Sequence, residues 1–476
     1  MPPPPPIAAI ATPPGRGGIG IVRVSGSDVG HLIQGIAGRA LPPRVATRVT
    51  FRDARDAVID QGLALYFPAP HSYTGEDVVE WHGHGGIAVM RLLLARCVEL
   101  GARLAEPGEF TKRAFLNGKL DLAQAESVAD MIEASTASAV RAAARSLAGE
   151  FSREVHALRD ALIDLRIDAE ATLDFPEDDL DLLREGDVAK RLAAIRGHLD
   201  VVLERARGGA ILATGMTVVL VGAPNVGKSS LLNRLVGEDA AIVTPIPGTT
   251  RDTVERQIEI GGIPLTIIDT AGLRETADEV ERHGIARTRA AIERADVALL
   301  IVDARADASA FAGPAQSDAT VRDAFPASLP RIIVHNKIDL AFAAPHIERY
   351  EATLDGRVLD WQADERTRET PVATHVWLCA LTGEGVALLE AEMLRVAGVA
   401  HGVEDAFFAR ARQLAALDDA CQHLRRAASH IEYDPPSVEL FAEELRSAQA
   451  AFSSITGEFT ADDLLGEIFS RFCIGK

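Results

Sequence analysis

An eight-residue segment, Gly222–Ser229, has the residue types and spacing that bind the phosphates of a nucleoside triphosphate. It reads Gly-Ala-Pro-Asn-Val-Gly-Lys-Ser, a complete G-x-x-x-x-G-K-S motif. In such a loop the backbone N–H groups and a helix N-terminus face the phosphates, Lys228 reaches the β and γ oxygens, and Ser229 can ligate Mg²⁺. A β-branched run precedes the motif and a helical pattern follows it, as the motif requires. The sequence therefore predicts a nucleoside triphosphate site.

Three further segments follow in the order used by Ras-like GTPases. Asp269–Gly272 places an acid that can reach Mg²⁺ through water and a glycine N–H that can contact the γ-phosphate. In Asn336–Asp339 an aspartate can accept from both N1–H and the 2-amino group of guanine, a pair of donors that adenine lacks. Cys379–Leu381 stands where such proteins usually carry Ser-Ala-Lys. Alone, Asn-Lys-x-Asp is equally a polar loop cap, but the four segments in order favour GTP over ATP.

The position that normally orients the attacking water carries an aliphatic side chain. In Ras-type enzymes a glutamine follows the Asp-x-x-Gly segment, but here that position is Leu273, which can neither donate nor accept a proton. Another group must position the water, and another positive charge must replace an arginine finger. Two segments are candidates: Gly248–Asp252, which would supply Thr250 to Mg²⁺, and Asp278–Arg282, which offers carboxylates.

Composition places these motifs in a large acidic protein. The chain has 476 residues, enough for about three domains, and 47% of its residues are hydrophobic, as in ordinary globular proteins. Its net charge of −20 argues against a simple nucleic-acid-binding surface, although residues 1–120 hold 13 Lys/Arg and 10 Asp/Glu. If nucleic acid is a partner, the N-terminal part or another subunit must supply much of the attraction.

Cysteine spacing and the lack of export signals predict a cytoplasmic protein that does not enter a membrane. The four cysteines are scattered without a C-x-x-C pair, which favours reduced thiols over disulfides. Met1 followed by five prolines is not a signal-peptide pattern, and no uncharged apolar stretch reaches about 18 residues. His82 and His84 lack a third ligand in the sequence, so no zinc site is predicted.

The two ends of the chain carry different patterns. Residues 1–118 contain short β-type runs and one helix candidate, Ile87–Leu100, which predicts an α+β domain. Residues 119–214 and 398–476 are rich in helix-forming residues at helical spacing and predict one discontinuous all-α domain. The apolar positions that show this spacing best are Leu158, Leu162, Leu165 and Ala169.

Between the two helical halves, residues 215–397 alternate strand and helix patterns. This alternation predicts an inserted α/β domain with a doubly wound, mainly parallel sheet around the phosphate loop. Residues 304–330 and 341–372 are predicted to be surface loops. The predicted strands are Thr217–Val221, Pro264–Ile268, Val297–Val302, Arg331–Val334 and His375–Leu378.

Taken together, the motif strings resemble the MnmE (TrmE) family of tRNA modification GTPases along nearly the whole chain. The phosphate loop is shared by many GTPases, whereas the N-terminal strings and the C-terminal end are far more specific. Two features depart from the family pattern: the segment between Asp339 and Cys379 is longer than usual, and Cys379 replaces the common serine. We expect this cysteine to be tolerated because the backbone contacts the base. The strings are Ala11–Gly20, Tyr73–Asp77, Gly83–Gly86, Pro107–Thr111, Arg113–Asn117, Lys119–Glu126, Gly222–Ser229, Gly248–Asp252, Asp269–Arg274, Asp278–Glu281, Ile455–Thr460 and Phe472–Lys476.

The resemblance implies a fold and a set of partners. The N-terminal domain would be similar to a tetrahydrofolate-binding fold and would hold a homodimer, next to an all-α domain and a Ras-like G domain. The GTPase would be stimulated by K⁺ as its two G domains meet across the dimer. The partner would be the flavoprotein MnmG, which carries FAD, in a heterotetramer. Together they would modify carbon 5 of the wobble uridine of certain tRNAs with a one-carbon unit from 5-formyl- or methylene-tetrahydrofolate.

The resemblance also implies residue roles. Asn225, with backbone near Thr244, Ile246 and Thr249, would hold K⁺, and Glu281 would orient the attacking water through a water bridge, which answers the problem of Leu273. The folate ligands would be Arg23, Glu80, Lys119 and Lys476, and Cys473 would lie near the one-carbon chemistry. The predicted GTP contacts are Asn225, Val226, Gly227, Lys228, Ser229, Ser230, Thr244, Thr249, Thr250, Asp269, Thr270, Ala271, Gly272, Asn336, Lys337, Asp339, Cys379, Ala380 and Leu381, with Ser229 and Thr250 on Mg²⁺.

Simpler interpretations stand beside each of these. Glu281 is also an ordinary solvated carboxylate, Cys473 a small buried apolar residue, and Arg23 with Glu80 a structural ion pair. At the level of function, the alternatives are an assembly GTPase that binds ribosomal RNA and a dimeric scaffold for signalling. Folate binding by residues 1–118 would distinguish a tRNA-modifying GTPase from an assembly GTPase that binds ribosomal RNA.

Overall fold

The computed structural model describes most of the N-terminal and helical parts and the strands of the inserted domain. The described residues are 4–174, 187–237, 255–269, 292–305, 326, 329–351, 372–399, 405–432, 437–458, 465, 468–470, 472 and 475. The chain forms two compact units. The first unit comprises Met1–Glu133, Ala143–Leu203 and Ala411–Lys476, and the second comprises Ala134–Ala142 and Glu204–Arg410.

The first unit contains a six-stranded sheet in the order β3-β4-β5-β2-β1-β6. Alternation of apolar and polar residues gives this sheet one buried face, where Val22, Trp81 and Phe51 pack against two helices. The strands are β1 (Ile7–Ile10), β2 (Gly17–Gly26), β3 (Thr47–Arg52), β4 (Val58–Phe67), β5 (Asp77–Gly85) and β6 (Arg103–Leu104), and the helices are α1 (Gly30–Ala37) and α2 (Ile87–Glu99). Helix α2 confirms the helix predicted at this place.

Helices make up the rest of the first unit. The predicted apolar stripe is buried, with Leu158, Leu162 and Leu165 each 0% exposed. It belongs to α6 (Glu150–Asp174), which packs against α12 (Val438–Thr456). This burial is the expected result of apolar residues at helical spacing. The helices outside the inserted domain are α3 (Glu109–Leu116), α4 (Leu122–Glu133), α5 (Ala137–Leu147), α6 (Glu150–Asp174), α7 (Asp187–Thr214), α11 (Ala411–Glu432) and α12 (Val438–Thr456).

The second unit is built on a seven-stranded sheet in the order β12-β13-β11-β10-β7-β9-β8. The five strands from β13 to β9 are parallel, and the two edge strands are antiparallel to their neighbours. The mainly parallel, doubly wound sheet confirms the predicted fold class. Its elements are β7 (Met216–Gly222), α8 (Lys228–Val236), β8 (Glu255–Ile260), β9 (Ile263–Asp269), β10 (Val297–Asp303), β11 (Arg331–Asn336), α9 (Ile338–Ala341), β12 (His346–Glu351), β13 (Val372–Leu378) and α10 (Val386–Val396).

Five strands, β1, β3, β6, β8 and β12, lie where the sequence patterns predicted none. Strand β12 occupies part of 341–372, which was predicted to be a surface loop, so that prediction is wrong for His346–Glu351. This polar segment forms a strand because the whole of it pairs with β13. An edge strand needs a hydrogen-bonding neighbour more than an apolar face. Strands β3 and β8 are likewise edge strands, and their mixed polar sequences lack the apolar pattern by which a strand is predicted.

Membrane insertion has no candidate among the helices in the described ranges. None of them combines the length and the apolar character that crossing a bilayer requires.

Candidate functional sites

The phosphate loop connects the central strand β7 to α8. Gly227 has a φ of 100° and caps α8 without a side chain, and Asn225 has a φ of 64°. These left-handed residues turn the chain so that it enters the helix directly, and the first backbone N–H groups of α8 receive no side-chain cap at Gly227. Such uncapped donors at a helix N-terminus fit the phosphates of a nucleotide.

The lysine of the loop folds back onto the loop itself. Lys228 is 8% exposed, and its Nζ donates to the carbonyl oxygens of Gly222 at 2.7 Å and Ala223 at 2.8 Å. Its charge is therefore held inside the curve of the loop, where a phosphate would exchange with neutral carbonyl acceptors. Ser229 and Ser230, the next two predicted ligands, are exposed on the first turn of α8.

Asn336 joins three of the predicted GTP segments. Its side chain is buried, with Nδ2 donating to the Val226 carbonyl at 2.8 Å and Oδ1 accepting the backbone N–H of Ala380 at 2.9 Å. The fit is close, because a Cβ added to Gly227 would stand 2.2 Å from Asn336 Nδ2. The first residue of the base-reading segment thus fixes the phosphate loop and the loop after β13 in one arrangement.

Lys337 makes a second connection to the phosphate loop and also binds Asp303, an acid that the sequence motifs did not single out. Its Nζ donates to the Asn225 carbonyl at 2.7 Å and to Asp303 Oδ2 at 3.0 Å. Arg305 and Lys337 hold the pKa of the Asp303 carboxyl well below its usual range. The signal for Asp303 was available, since it ends β10 at the sheet edge where parallel strands place ligand-binding residues.

Asp339, the predicted reader of guanine, is held by the unusual cysteine. The Cys379 thiol donates to Asp339 Oδ1, with Sγ and Oδ1 3.1 Å apart. The side chain of Cys379 is buried, whereas Leu381 is 74% exposed. The expectation that only the backbone of this segment matters was therefore incomplete, because the thiol also orients the acid.

Aromatic rings stack on the strands that carry this end of the sheet. The ring of Trp377 lies between those of His335 and His346, with centroid distances of 4.2 and 4.1 Å. His335 Nε2 is 3.0 Å from His375 Nδ1. Burial, followed by the neighbouring His375, lowers the pKa of His335 to about 4. His335 immediately precedes Asn336, so a neutral stack supports the base-reading segment.

Several predicted residues lie outside the part of the chain that the structure describes. For Asp269 only the backbone is described, at the end of β9 and paired with Leu220. The remaining predicted residues outside the described ranges are Thr244, Ile246, Thr249, Thr250, Thr270, Ala271, Gly272, Glu281, Cys473 and Lys476.

The first unit brings two predicted folate ligands together on the other face of its sheet. Arg23 on β2 and Glu80 on β5 are cross-strand partners, and their side chains form an ion pair at 2.8 Å. Glu80 also accepts from His82 Nε2 at 3.1 Å, and Arg23 lies over the rings of Tyr73 and Phe110 at 5.7 and 5.8 Å. The pair matches the simpler structural interpretation, and its partly exposed position keeps it accessible to a ligand.

Lys119 contacts a different part of the unit. Its Nζ donates to the Pro70 carbonyl at 3.2 Å, in the loop that also carries Tyr73. That loop is fastened to α3 by Glu76, which pairs with Arg113 at 2.9 Å, and by Asn117, which donates to the Thr74 carbonyl at 2.7 Å. Much of the motif resemblance in 73–117 therefore has a structural cause.

The C-terminal residues reach the same sheet. Phe472 is buried with Leu122 and Phe469 in a cluster against α4. Gly475 has a φ of 101°, and a Cβ on it would stand 2.6 Å from the carbonyl oxygen of Ile10. Ile10 ends β1, the strand that pairs with β2 beside Arg23. Gly475 is thus packed against the sheet that holds two predicted folate ligands.

Two protein-family models match this chain. Residues 6–119 match the N-terminus of the GTP-binding protein TrmE, and residues 122–473 match the MnmE helical domain. Proteins named tRNA modification GTPase MnmE are similar over nearly their full length. The one from Nitrosomonas europaea is 57% identical, with 99% of both chains covered, and the one from Azoarcus sp. is 58% identical, with 100% of this chain and 98% of the relative covered.

Solved structures resemble the chain over smaller parts. The G domain of the T. maritima FeoB iron transporter is 21% identical over 38% of this chain and 98% of that one, with a TM-score of 0.24. Aquifex aeolicus Era bound to GDP and AlF4⁻ is 25% identical over 44% of this chain and 66% of that one, with a TM-score of 0.24.

Proposed function

The chain belongs to the MnmE family of tRNA modification GTPases and is a GTP hydrolase, and from that premise we propose its cofactors, partners and residue roles. It works as a K⁺-stimulated GTPase in the cytoplasm, as a homodimer joined to the flavoprotein MnmG. Together they modify carbon 5 of the wobble uridine of certain tRNAs with a one-carbon unit from tetrahydrofolate. GTP hydrolysis drives the conformational change in this complex.

The observation that supports this function best is a pair of hydrogen bonds between the segment proposed to bind guanine and the phosphate loop. Two adjacent residues donate them. Asn336 binds the Val226 carbonyl and Lys337 binds the Asn225 carbonyl, so recognition of guanine by Asp339 is coupled to the shape of the phosphate loop. Mg²⁺, on Ser229 and Thr250, supplies charge neutralisation at the β and γ oxygens. The carboxylate of Asp269 would reach this Mg²⁺ through a water molecule.

Hydrolysis requires a substitute for the glutamine that Leu273 replaces. Glu281 orients the attacking water, and K⁺ supplies the positive charge of an arginine finger. Asn225 is suited to hold that ion, because it is exposed at the surface of the loop while Lys337 fixes its carbonyl. Thr244, Ile246 and Thr249 provide the remaining K⁺ contacts.

The folate site uses the outer face of the N-terminal sheet. Arg23 and Glu80 offer a donor and an acceptor in a fixed pair, which suits a pterin ring with adjacent N–H and carbonyl groups. Lys119 and Lys476 complete the site, and Cys473 acts near the one-carbon unit. The packing of Phe472 against Leu122 and of Gly475 against Ile10 supports this placement, since Phe472 and Gly475 flank Cys473 in the sequence.

Potassium dependence is tested by measuring GTP hydrolysis in KCl and NaCl at equal ionic strength. The wild-type chain is expected to respond only to K⁺, and Asn225→Ala to lose that response while still binding GTP. Glu281→Ala should lower kcat about 100-fold or more with nearly unchanged GTP affinity, because it acts only in the transition state. Glu279→Ala is the matched control in the same segment. Equal rates in both salts would defeat the K⁺ assignment.

The modification itself is tested by mass spectrometry of wobble nucleosides in tRNA from cells lacking this protein. The wild-type gene should restore the modified uridine, whereas Cys473→Ser should not, although its GTP hydrolysis stays normal. Cys421→Ser is the control, since that thiol is buried on α11. Normal wobble uridine in cells carrying Cys473→Ser would exclude a catalytic role for Cys473.

A further inference from the structure

Exposed arginines gather along one edge of the N-terminal sheet, in a protein whose net charge is −20. Strand β3 is the edge of that sheet, and Arg48 lies on it while Arg39 and Arg44 precede it and Arg55 follows it. All four residues are exposed. We refer to Arg39, Arg44, Arg48 and Arg55 as the arginine edge.

The side chains of the arginine edge donate hydrogen bonds only to neutral acceptors among the described residues. Arg39 donates to the Arg48 carbonyl at 2.8 Å, Arg48 to Gln61 Oε1 at 3.3 Å, and Arg44 to the His71 carbonyl. In this part of the chain, ion pairs of other arginines with acids occur, but none involves these four. Their charges are therefore uncompensated locally, and bonds to the backbone or an amide hold three of the guanidinium groups in place.

The acids closest in sequence are already engaged. Asp53 accepts the backbone N–H groups of Arg55 and Ala57, each at 2.8 Å, and so shapes the turn after β3. Asp56 pairs with Arg52 at 3.5 Å, and Asp60 binds His84. None of these three carboxylates forms an ion pair with a member of the arginine edge, because their oxygens bond the turn, Arg52 and the neighbouring strand.

We propose that the arginine edge binds the phosphate backbone of RNA and is the surface by which this chain contacts tRNA. Guanidinium groups match phosphate oxygens in charge and geometry, and a strand of this length runs for about 20 Å, enough to follow several phosphates. The contact is with the backbone and not with bases, so it gives affinity without sequence selectivity. The inference rests on the tRNA involvement in the proposed function.

Two other roles are less well supported. A second copy related by a two-fold axis would bring the same arginines together, which charge repulsion opposes. Protection of the sheet edge against pairing explains charged residues on β3 itself, but Arg44 and Arg55 lie outside the strand. Neither role requires four cations without acidic partners.

The test measures binding of a fluorescent tRNA transcript to the full-length protein by anisotropy between 50 and 200 mM salt. The quadruple change of Arg39, Arg44, Arg48 and Arg55 to Gln should weaken binding at least tenfold at low salt. It should also reduce the slope of log K against log salt by about 3, as expected for four lost phosphate contacts. The same four positions changed to Lys keep the charge and should retain most of the binding.

Matched arginines elsewhere give the control. Arg141, Arg153, Arg425 and Arg426 are also exposed, and changing them to Gln alters the net charge equally. An equal loss in this control, an unchanged slope in the first variant, or no tRNA binding by the wild type would overturn the proposal. So would a variant that binds tRNA normally but loses its dimer or its flavoprotein partner. Wobble-uridine modification by the wild type, measured alongside, shows whether the proposed function stands independently.

Discussion

The base-reading end of the second unit and the Arg23–Glu80 corner of the first unit are built in opposite ways. At the first, a buried amide, a left-handed glycine and backbone carbonyls lock three loops together, with Asn336 only 2% exposed. At the second, an ion pair crosses two strands on a partly open sheet face, with side-chain exposures of 23% and 15%. Both places were predicted as binding sites, but only one is held by groups that cannot move independently.

This difference shows how tightly each site is specified before a ligand arrives. Backbone acceptors and buried amides have fixed positions, so their loss leaves unpaired buried groups and is costly. A partly exposed ion pair contributes little to stability, because water competes for both charges. The nucleotide site should therefore be sensitive to shape, and the Arg23–Glu80 corner to charge.

The largest effect is expected at Asp339, the proposed reader of the guanine base. Asp339→Asn removes one of the two acceptors for guanine and should reduce the preference for GTP over ATP about 1000-fold or more. Competition binding with GTP, ATP and XTP measures this change. Cys379→Ser is the matched control, because a hydroxyl still donates to Asp339 and should change GTP affinity little. A preference that survives Asp339→Asn would show that another segment reads the base.

The next effect tests whether shape governs the phosphate loop. Gly227→Ala places a Cβ 2.2 Å from Asn336 Nδ2 at a φ of 100°. Steric overlap and backbone strain together cost about 3 kcal/mol, so GTP should bind about 100-fold more weakly. Isothermal titration measures the affinity. The control is Gly398→Ala, which has a similar strained φ of 78° but nothing within 4 Å of the new Cβ. Equal GTP binding by both variants would contradict the shape argument.

A smaller effect separates the two interpretations of Arg23. Arg23→Gln should change the free energy of unfolding by less than about 1 kcal/mol, as expected for a partly exposed pair. Folate affinity should fall about tenfold, since losing a charge-assisted hydrogen bond costs roughly 1.5 kcal/mol. Arg96→Gln, which breaks the pair with Glu99, is the control. Lost stability with unchanged folate binding would leave Arg23 a purely structural residue.

The smallest effect concerns pH and the ring stack behind Asn336. The pKa of His335 is lowered from 6.5 to about 4, so the unfolded chain takes up a proton that the folded chain refuses. The stabilisation is complete above pH 6.5 and is lost as pH falls toward 4, with a slope of up to about 1.4 kcal/mol per pH unit. Denaturant unfolding should show a shallower dependence in His335→Phe, which keeps a stacking ring. Identical slopes would exclude His335 as the titrating group.

Local sequence determined the architecture of the molecule and the type of its nucleotide site. The phosphate loop, the apolar strands and the stripe on α6 are patterns of nearest neighbours in the chain, and short-range sterics and apolar periodicity decide them. The sequence alone also explains the glycine at position 227, because only a residue without a Cβ adopts its left-handed conformation easily. Edge strand β12 escaped detection because its partner, and not its own apolar pattern, makes it a strand.

Only the tertiary structure decided which side chains hold the predicted ligands in place. Asp303 is 34 residues from Lys337, and Cys379 is 40 residues from Asp339, yet both pairs are in hydrogen-bonding contact. The same holds for Gly475, which packs against Ile10 at the opposite end of the chain. Parallel strands bring their carboxyl ends to one edge whatever the length of chain between them. These contacts depend on packing across the sheet, and no local pattern of residues encodes that packing.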